Sequence, residues 1–237
     1  MVKSEIGSDA SSDQQAVKRL ATFMHRKGDQ EGVLAEVKKA LEDGISMSNP
    51  TVAMMSGTVF YLAGQPDEAL RCLKHTGAES METLALSAQV LISMNRADQA
   101  AKELKKMKEL DDDSTLCKLA EAWVGLAKGG ELLKEAFYNF EELAQKYGET
   151  PTLLNGQAAA HIQQGAFEDA ESVLLTAQEK DPDDAETLIN LNSVASFMGK
   201  PAEVGQRYLA QLKDQHPNHP FTVSLMAQEE AFDQLSA

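Results

Sequence analysis

Apolar and small residues recur at helical spacing along most of the chain. The clearest stretch is LLNGQAAAHIQQGAFEDAESVLLTAQEKDP, Leu153 to Pro182. Ala158 and Ile162 are four apart, and Phe167, Ala170, Leu174 and Ala177 follow at intervals of three and four. Two amphipathic helices with one apolar face each account for this spacing. Gln164-Gly165 supplies the turn between them, and Asp181-Pro182 supplies the stop.

The same pattern returns with a period near 34 residues. The small residue early in the second helix (helix B) falls at Val33, Ala69, Ala100, Ala136, Ala170 and Val204, spaced 36, 31, 36, 34 and 34. The small residue of the first helix (helix A) falls at Ala21, Gly57, Ala88, Ala120, Ala158 and Asn192. The large residue four after each helix-B marker is Val37, Leu73, Leu104, Phe140, Leu174 and Tyr208. Six copies of three linked positions match the tetratricopeptide pattern, in which small residues let the helices approach and large ones fill the groove of the neighbouring hairpin. A lone hairpin cannot bury its apolar face, so hairpins stack. The pattern predicts an all-α tetratricopeptide-repeat (TPR) α-solenoid of about six helical hairpins plus a C-terminal capping helix.

The irregular spacings predict a non-uniform spiral. Helix B ends early at Leu73 to Gly77, with Gly77 as its stop. The unit ending near Pro151 carries four extra residues around Lys128-Gly129-Gly130. His219-Pro220 opens a last helix, whose Phe221, Leu225, Phe232 and Leu235 would cover the final hairpin. At the front, Val2 to Ile6 reads as the tail of a helix and Gly7 to Asp13 as a loop. The expected organisation is a residual tail and loop over 1–13, the solenoid over 14–217 and the capping helix over 218–237, with a hairpin missing upstream.

Composition sharpens this picture. Among the 237 residues are 32 Ala and 27 Leu against 12 Val and 5 Ile, which favours helix over strand. The formal charge of −15 argues against direct contact with duplex nucleic acid or an anionic membrane, both of which need a basic face. No run approaches the ~18 apolar residues of a membrane span, and no secretory signal or lipidation motif stands at the ends.

Candidate chemistry is sparse. Cys72 and Cys117 both fall within expected helices and read as buried, reduced thiols. His216 and His219 lie in His-Pro-Asn-His-Pro, where the prolines force a turn, and no companion ligands stand at zinc spacing. His161 reads as a packed, hydrogen-bonded histidine. Gly199-Lys200-Pro201 lacks the rest of a phosphate loop. Asp111-Asp112-Asp113 reads as the cap of a helix starting near Ser114. No residues emerge for an enzyme, a cofactor or a metal. The residue four after each small helix-A position points to the inner face: His25, Tyr61, Ile92, Val124, Ile162 and Ser196. Ala85, Cys117, Asn155 and Ile189 lie one turn earlier on that face. This stripe either pads the space between adjacent helices A or forms an apolar groove for an extended or hairpin segment of a partner. A generic TPR adaptor or co-chaperone that reads short acidic peptides would need paired Lys, Arg and Asn on successive helices A, where the positions here are mostly apolar or uncharged.

The residues also resemble a known family. LLNGQAAAHIQQGAFEDAESVLLTAQEKDPDDAETLINL, GKPAEVGQRYLAQLKDQHPNHPF and EEAFDQL are similar to the coatomer epsilon subunits, as are AAKELKKMKELDDDSTLCKLAEAWVGLAKGGELLKEAFYNFEELAQKY and the opening QQAVKRLA. The likeness covers nearly the whole chain and is most specific from Ala100 onward. Members of the family usually carry further helices before the position of Val2. The resemblance implies a non-catalytic structural subunit of the coatomer (COPI) coat, without cofactor. It would be cytoplasmic and peripheral on Golgi membranes and COPI-coated vesicles. Its partner would be the C-terminal region of the alpha subunit, whose β-hairpin the repeats embrace. Other coatomer subunits and the membrane would be met only indirectly, in transport between Golgi and endoplasmic reticulum.

Overall fold

The computed structural model describes residues 10–25, 29–42, 49–75 and 79–236. The tail expected over Val2 to Ile6, most of the loop after it and the helix stop at Gly77 lie outside them. The described residues form helices and no strand. In chain order these are α1 (Ser12–His25), α2 (Gln30–Glu42), α3 (Pro50–Leu62), α4 (Pro66–His75), α5 (Met81–Ser93), α6 (Ala97–Asp111), α7 (Thr115–Lys128), α8 (Leu132–Tyr147), α9 (Pro151–Gln164), α10 (Phe167–Lys180), α11 (Ala185–Phe197), α12 (Ala202–Gln215) and α13 (Pro220–Ser236). Odd numbers up to α11 are the helices A of the sequence pattern, and even numbers are the helices B.

The chain forms two compact units, residues 1–128 and 129–237. The boundary falls after α7 and before α8, at the extra residues around Gly129-Gly130. Both glycines adopt positive φ, +72° and +64°, a backbone that side chains disfavour.

In the first unit, α3 packs on α4, α5 on α6, and each helix A lies beside the next. The core gathers Phe23, Val33, Val37, Phe60, Ala69, Ala88, Leu91, Ala100, Met107 and Ala120 among others. In the second unit α9 packs between α8 and α10, and α11 packs on α12. Its core holds Ala158, Ala170, Leu174, Leu188, Leu191, Val194, Tyr208 and Leu212. Of the eighteen marker residues, only Ala21, Asn192 and Val204 are less than fully buried. The register read from the sequence is therefore the register of the core.

Three glycines make room for large neighbours. A Cβ at Gly156 of α9 would lie 2.6 Å from two ring atoms of Phe140 in α8. At Gly57 a Cβ would stand 3.1 Å from Leu73. In the last hairpin Asn192 occupies the small helix-A position, and Gly205 of α12 faces it, with 2.8 Å from a built Cβ to Asn192 Oδ1. The larger side chain is accommodated by a smaller one opposite.

Caps follow familiar chemistry. Asn49, Thr150 and Asp184 accept hydrogen bonds from the first-turn N–H groups of α3, α9 and α11, and Pro50 and Pro151 begin two of these helices. Ser80 and Thr83 form a reciprocal capping box on α5. Gly165, at φ +77°, ends α9 as the sequence turn expects.

Two expectations are corrected. The cap of α7 is Ser114, whose hydroxyl accepts from Cys117 N–H at 3.2 Å. The acidic run instead closes on itself, with Asp113 N–H donating to Asp111. A short hydroxyl at the cap position reaches the third amide, whereas the acids lie one to three residues too early. On α13, Phe232 and Leu235 are 70% and 88% exposed, so they do not cover the last hairpin. The side of α13 turned inward carries Thr222, which is fully buried, and Leu225, which is half-buried as expected. Glu229, seven residues after Thr222, is exposed and pairs with Lys213 of α12 at 2.7 Å.

Gly156→Ala tests the close contact. Added helix propensity is worth ~1 kcal/mol, and overpacking costs ~1–3 kcal/mol. Phe140 is buried and cannot swing away, so the clash should outweigh the gain, by up to ~2 kcal/mol. Denaturant unfolding of wild type and variant reads this directly, and an unchanged or higher midpoint would contradict it.

Candidate functional site

The inner-face residues named from sequence fall into three groups within the first unit. Ala85 and Cys117 are 5% and 0% exposed, and Val124 is buried with them. All three belong to the core between helices A. Tyr61 of α3 and Ile92 of α5 are half-buried and pack against that core while keeping part of their surface outside. His25 is exposed at the end of α1.

In the second unit, Ile162 of α9 and Ile189 of α11 are half-buried against the core, and Ser196 is exposed. The Ser196 hydroxyl donates back to Asn192 O at 3.0 Å, as a helical serine does. Asn155 is 8% exposed and is fully engaged in hydrogen bonds. Its amide nitrogen lies 2.9 Å from Pro151 O, 2.8 Å from Thr187 Oγ1 and 3.1 Å from Asp184 Oδ2. Its carbonyl accepts from Asn190 Nδ2 at 2.8 Å. This network ties α9 to the start of α11.

Sequence reasoning missed Thr187, Asp184 and Asn190. Asp184-x-x-Thr187 is the spacing of an N-cap with its third residue. Asn190 stands one repeat plus one residue after Asn155, so a search by the 34-residue period alone passes over it. A second unforeseen feature is the stack of Phe167 on Phe197, with ring centroids 5.0 Å apart and planes at 11°. Phe197 keeps 61% of its surface exposed.

The remaining candidates have structural partners. His161 packs against the ring of Phe137, centroids 4.6 Å apart. His219 Nδ1 accepts from Phe221 N–H, and its Nε2 lies 3.5 Å from Glu186. His216 Nε2 meets the carbonyl of Asp183. Lys200 pairs with Glu171, which holds the Gly199-Lys200-Pro201 turn against α10. Among the described residues no group of three or more His, Cys, Asp or Glu could hold a metal ion, and no helix is long and apolar enough to cross a membrane.

Both thiols are shifted toward the protonated form. Burial pushes Cys72 up to about 11, reinforced by Glu68 and partly opposed by Arg71. Burial also raises Cys117, with Asp112 adding to it. A thiol held protonated is a poor nucleophile.

The whole chain, residues 1–237, matches the family model described as Coatomer epsilon subunit. "Coatomer subunit epsilon-1" of Oryza sativa subsp. japonica is 39% identical over 234 residues, covering 98% of this chain and 79% of that protein. "Coatomer subunit epsilon-2" of Arabidopsis thaliana is 38% identical, with 98% and 78% covered. "Coatomer subunit epsilon" of Dictyostelium discoideum is 34% identical, with 98% and 77% covered. Among solved structures, a tetratricopeptide repeat protein from Parabacteroides merdae superposes with a TM-score of 0.76 at 15% identity, covering 95% of this chain and 87% of that one. The type IV pilus biogenesis factor PilW gives 0.67 at 16% identity, with 90% and 98% covered. These structural likenesses establish the fold, which is all-α and of the tetratricopeptide kind.

Two measurements follow from the site. Asn155→Ala strips Pro151 O and Thr187 of a buried partner and should cost ~2 kcal/mol, seen as a lower urea midpoint. An unchanged midpoint would deny the network its structural role. Alkaline pH should also destabilise the fold through Cys72. Below pH 9 the thiol is protonated in both states and its contribution is intact. Between about 9 and about 11 only the unfolded thiol ionises, so unfolding releases a proton and stability falls, by up to ~3 kcal/mol. Urea midpoints across this range for wild type and Cys72→Ala isolate the effect, and parallel curves would refute it.

Proposed function

The chain belongs to the coatomer epsilon subunit family, and so to the COPI coat, and we propose that it acts there as a non-catalytic scaffold. In this reading it binds and stabilises the C-terminal region of the alpha subunit, in transport between Golgi and endoplasmic reticulum. The observation that carries the reading is the chemistry of the helix-A faces. Tyr61 and Ile92 in the first unit, and Ile162 and Ile189 in the second, are uncharged and half-buried. Each stands on a rigid core and offers apolar surface that a partner can complete. Ser196 borders the second face. Ala85, Cys117, Val124 and Asn155 set the helix spacing beneath.

Charge supports the same reading. A chain of −15 offers no basic face to lipid headgroups, so its membrane association runs through other coat subunits. Its acidic residues sit largely on helices B and at turns, as at Asp67-Glu68, Glu141-Glu142 and Asp181 to Asp184. The helix-A faces carry no Lys or Arg at the positions named, which disfavours the alternative of a generic adaptor clamping acidic peptides.

Co-elution of the purified chain with the C-terminal region of an alpha subunit is the expected result. Failure to form a complex with both proteins folded would overturn the proposal. Ile92→Asp and Ile162→Asp should each weaken the complex by about tenfold or more, since a half-buried contact is replaced by a charge that must be desolvated. The helical circular dichroism should persist. Unchanged affinity would sink the assignment of the faces.

A further inference from the structure

The last helix carries an apolar row of strict regularity. Phe221, Leu225, Gln228, Phe232 and Leu235 stand at intervals of four, three, four and three along the 17 residues of α13. That alternation puts all five on one stripe, and it is the spacing of a two-stranded coiled-coil seam. Gln228 is the one amide among large apolar side chains. Val223 and Met226, also exposed, lie outside the row.

The body of the second unit holds α13 by one flank, beside the row. Thr222 is buried, and Glu229 pairs with Lys213 of α12 at 2.7 Å. Both follow or precede a row residue by one position and so border the row without belonging to it. Leu225 is half-buried. Exposure climbs from 37% at Phe221 to 70% at Phe232 and 88% at Leu235. Among the described residues, no helix of the second unit packs along α13 as α11 and α12 pack on each other.

The flanks select the occupant. On one side stand Ser224 and Ala231, small and uncharged. On the other stands Glu229, whose charge is answered by Lys213. Glu230 and Asp233 point away from the row. Within the described part of α13, the row is thus bordered by no charge left over to pair with a basic or acidic partner. The helix also has no Lys or Arg, which a helix lying in a membrane surface needs. A neutral row at heptad spacing complements a second row of the same kind.

Antiparallel pairing suits the row. It sets Phe232 of one copy against Phe221 of the second, and Leu225 against Gln228, with each contact made twice. The most exposed part of one helix then covers the part of the other that borders its folded body. Parallel pairing would bring two bodies side by side, and residues 129–237 carry 18 acidic against 6 basic side chains. The antiparallel contact removes on the order of 1,000 Å² from water over both copies. That lies below the ~1,200 Å² at which stable complexes begin. The pairing is therefore weak and reversible, with a Kd on the order of 100 μM.

We infer that α13 docks antiparallel on the α13 of a second copy of this chain, through Phe221, Leu225, Gln228, Phe232 and Leu235. The inference rests on this helix alone and is independent of the alpha-subunit reading. Such a contact joins copies only where they are concentrated, as subunits of a coat are.

Sedimentation velocity of the purified full chain tests it, from about 10 μM to about 500 μM. The buffer holds about 0.3 M salt, which screens the charge of −15 on each copy. The mean mass should rise from monomer toward dimer. A monomer at every concentration would overturn the inference. Two variants locate the contact. Phe232→Asp should raise the Kd about tenfold or more, and Gln228→Leu, which takes the polar residue out of the seam, should lower it about tenfold. Both positions are exposed, so the fold is spared, and unchanged helical circular dichroism checks this. A dimer whose Kd stays within about twofold in either variant forms through another surface and would equally overturn the inference.

Discussion

Close approach of helices through residues without bulk is the constraint on which the rest depends. Ala88 with Ala100, and Ala158 with Ala170, are each buried to 0% exposure. Helix pairs separated by alanine come near enough that one larger residue per helix B, such as Leu174 or Phe140, fills the remaining groove. Larger residues at the small positions would push the pair apart and open voids along the whole row. The tolerance is small enough that Asn192 is met by Gly205, and the ring of Phe140 by Gly156.

This constraint explains what was legible in the sequence. The period, the three markers and their burial were readable because small-large alternation at fixed offsets is the signature of that approach. The turn at Gly165 was legible for a related reason, since its local chemistry is independent of neighbours, whereas the caps at Thr150 and Asp184 went unread. The α13 helix was visible from His219-Pro220, but its contacts were not. Helical spacing alone identifies an apolar stripe without saying whether anything lies against it, and here Thr222 is buried and Leu225 half-buried while Phe232 and Leu235 are exposed.

The candidate site was less legible. Counting four residues from each small position found Tyr61, Ile92, Ile162 and Ser196 with surface left outside, but also Val124, which is core. The turn before gave half-buried Ile189 together with Ala85 and Cys117, which are core. The period fixes angular position on a helix but not the depth at which that helix lies among its neighbours. The Asn155 network was hidden for a different reason. It depends on a hydrogen-bond pattern crossing from one hairpin to the next, with residues 29, 32 and 35 apart in sequence, and no single-residue rule reports such a pattern.

The glycine notches carry a consequence for how such an array can change over time. Phe140 in α8 is admitted by Gly156 in the helix that follows it, and Asn192 by Gly205 within its own hairpin. Each protruding side chain is matched by a recess at one particular place. Hairpins of the same outline are therefore not interchangeable parts. Duplicating, deleting or exchanging one would set Phe140 against a helix with no recess, or leave Gly156 facing nothing. The order of the hairpins is thus written into their side chains, and the array can drift in sequence at its surface far more readily than it can be shuffled.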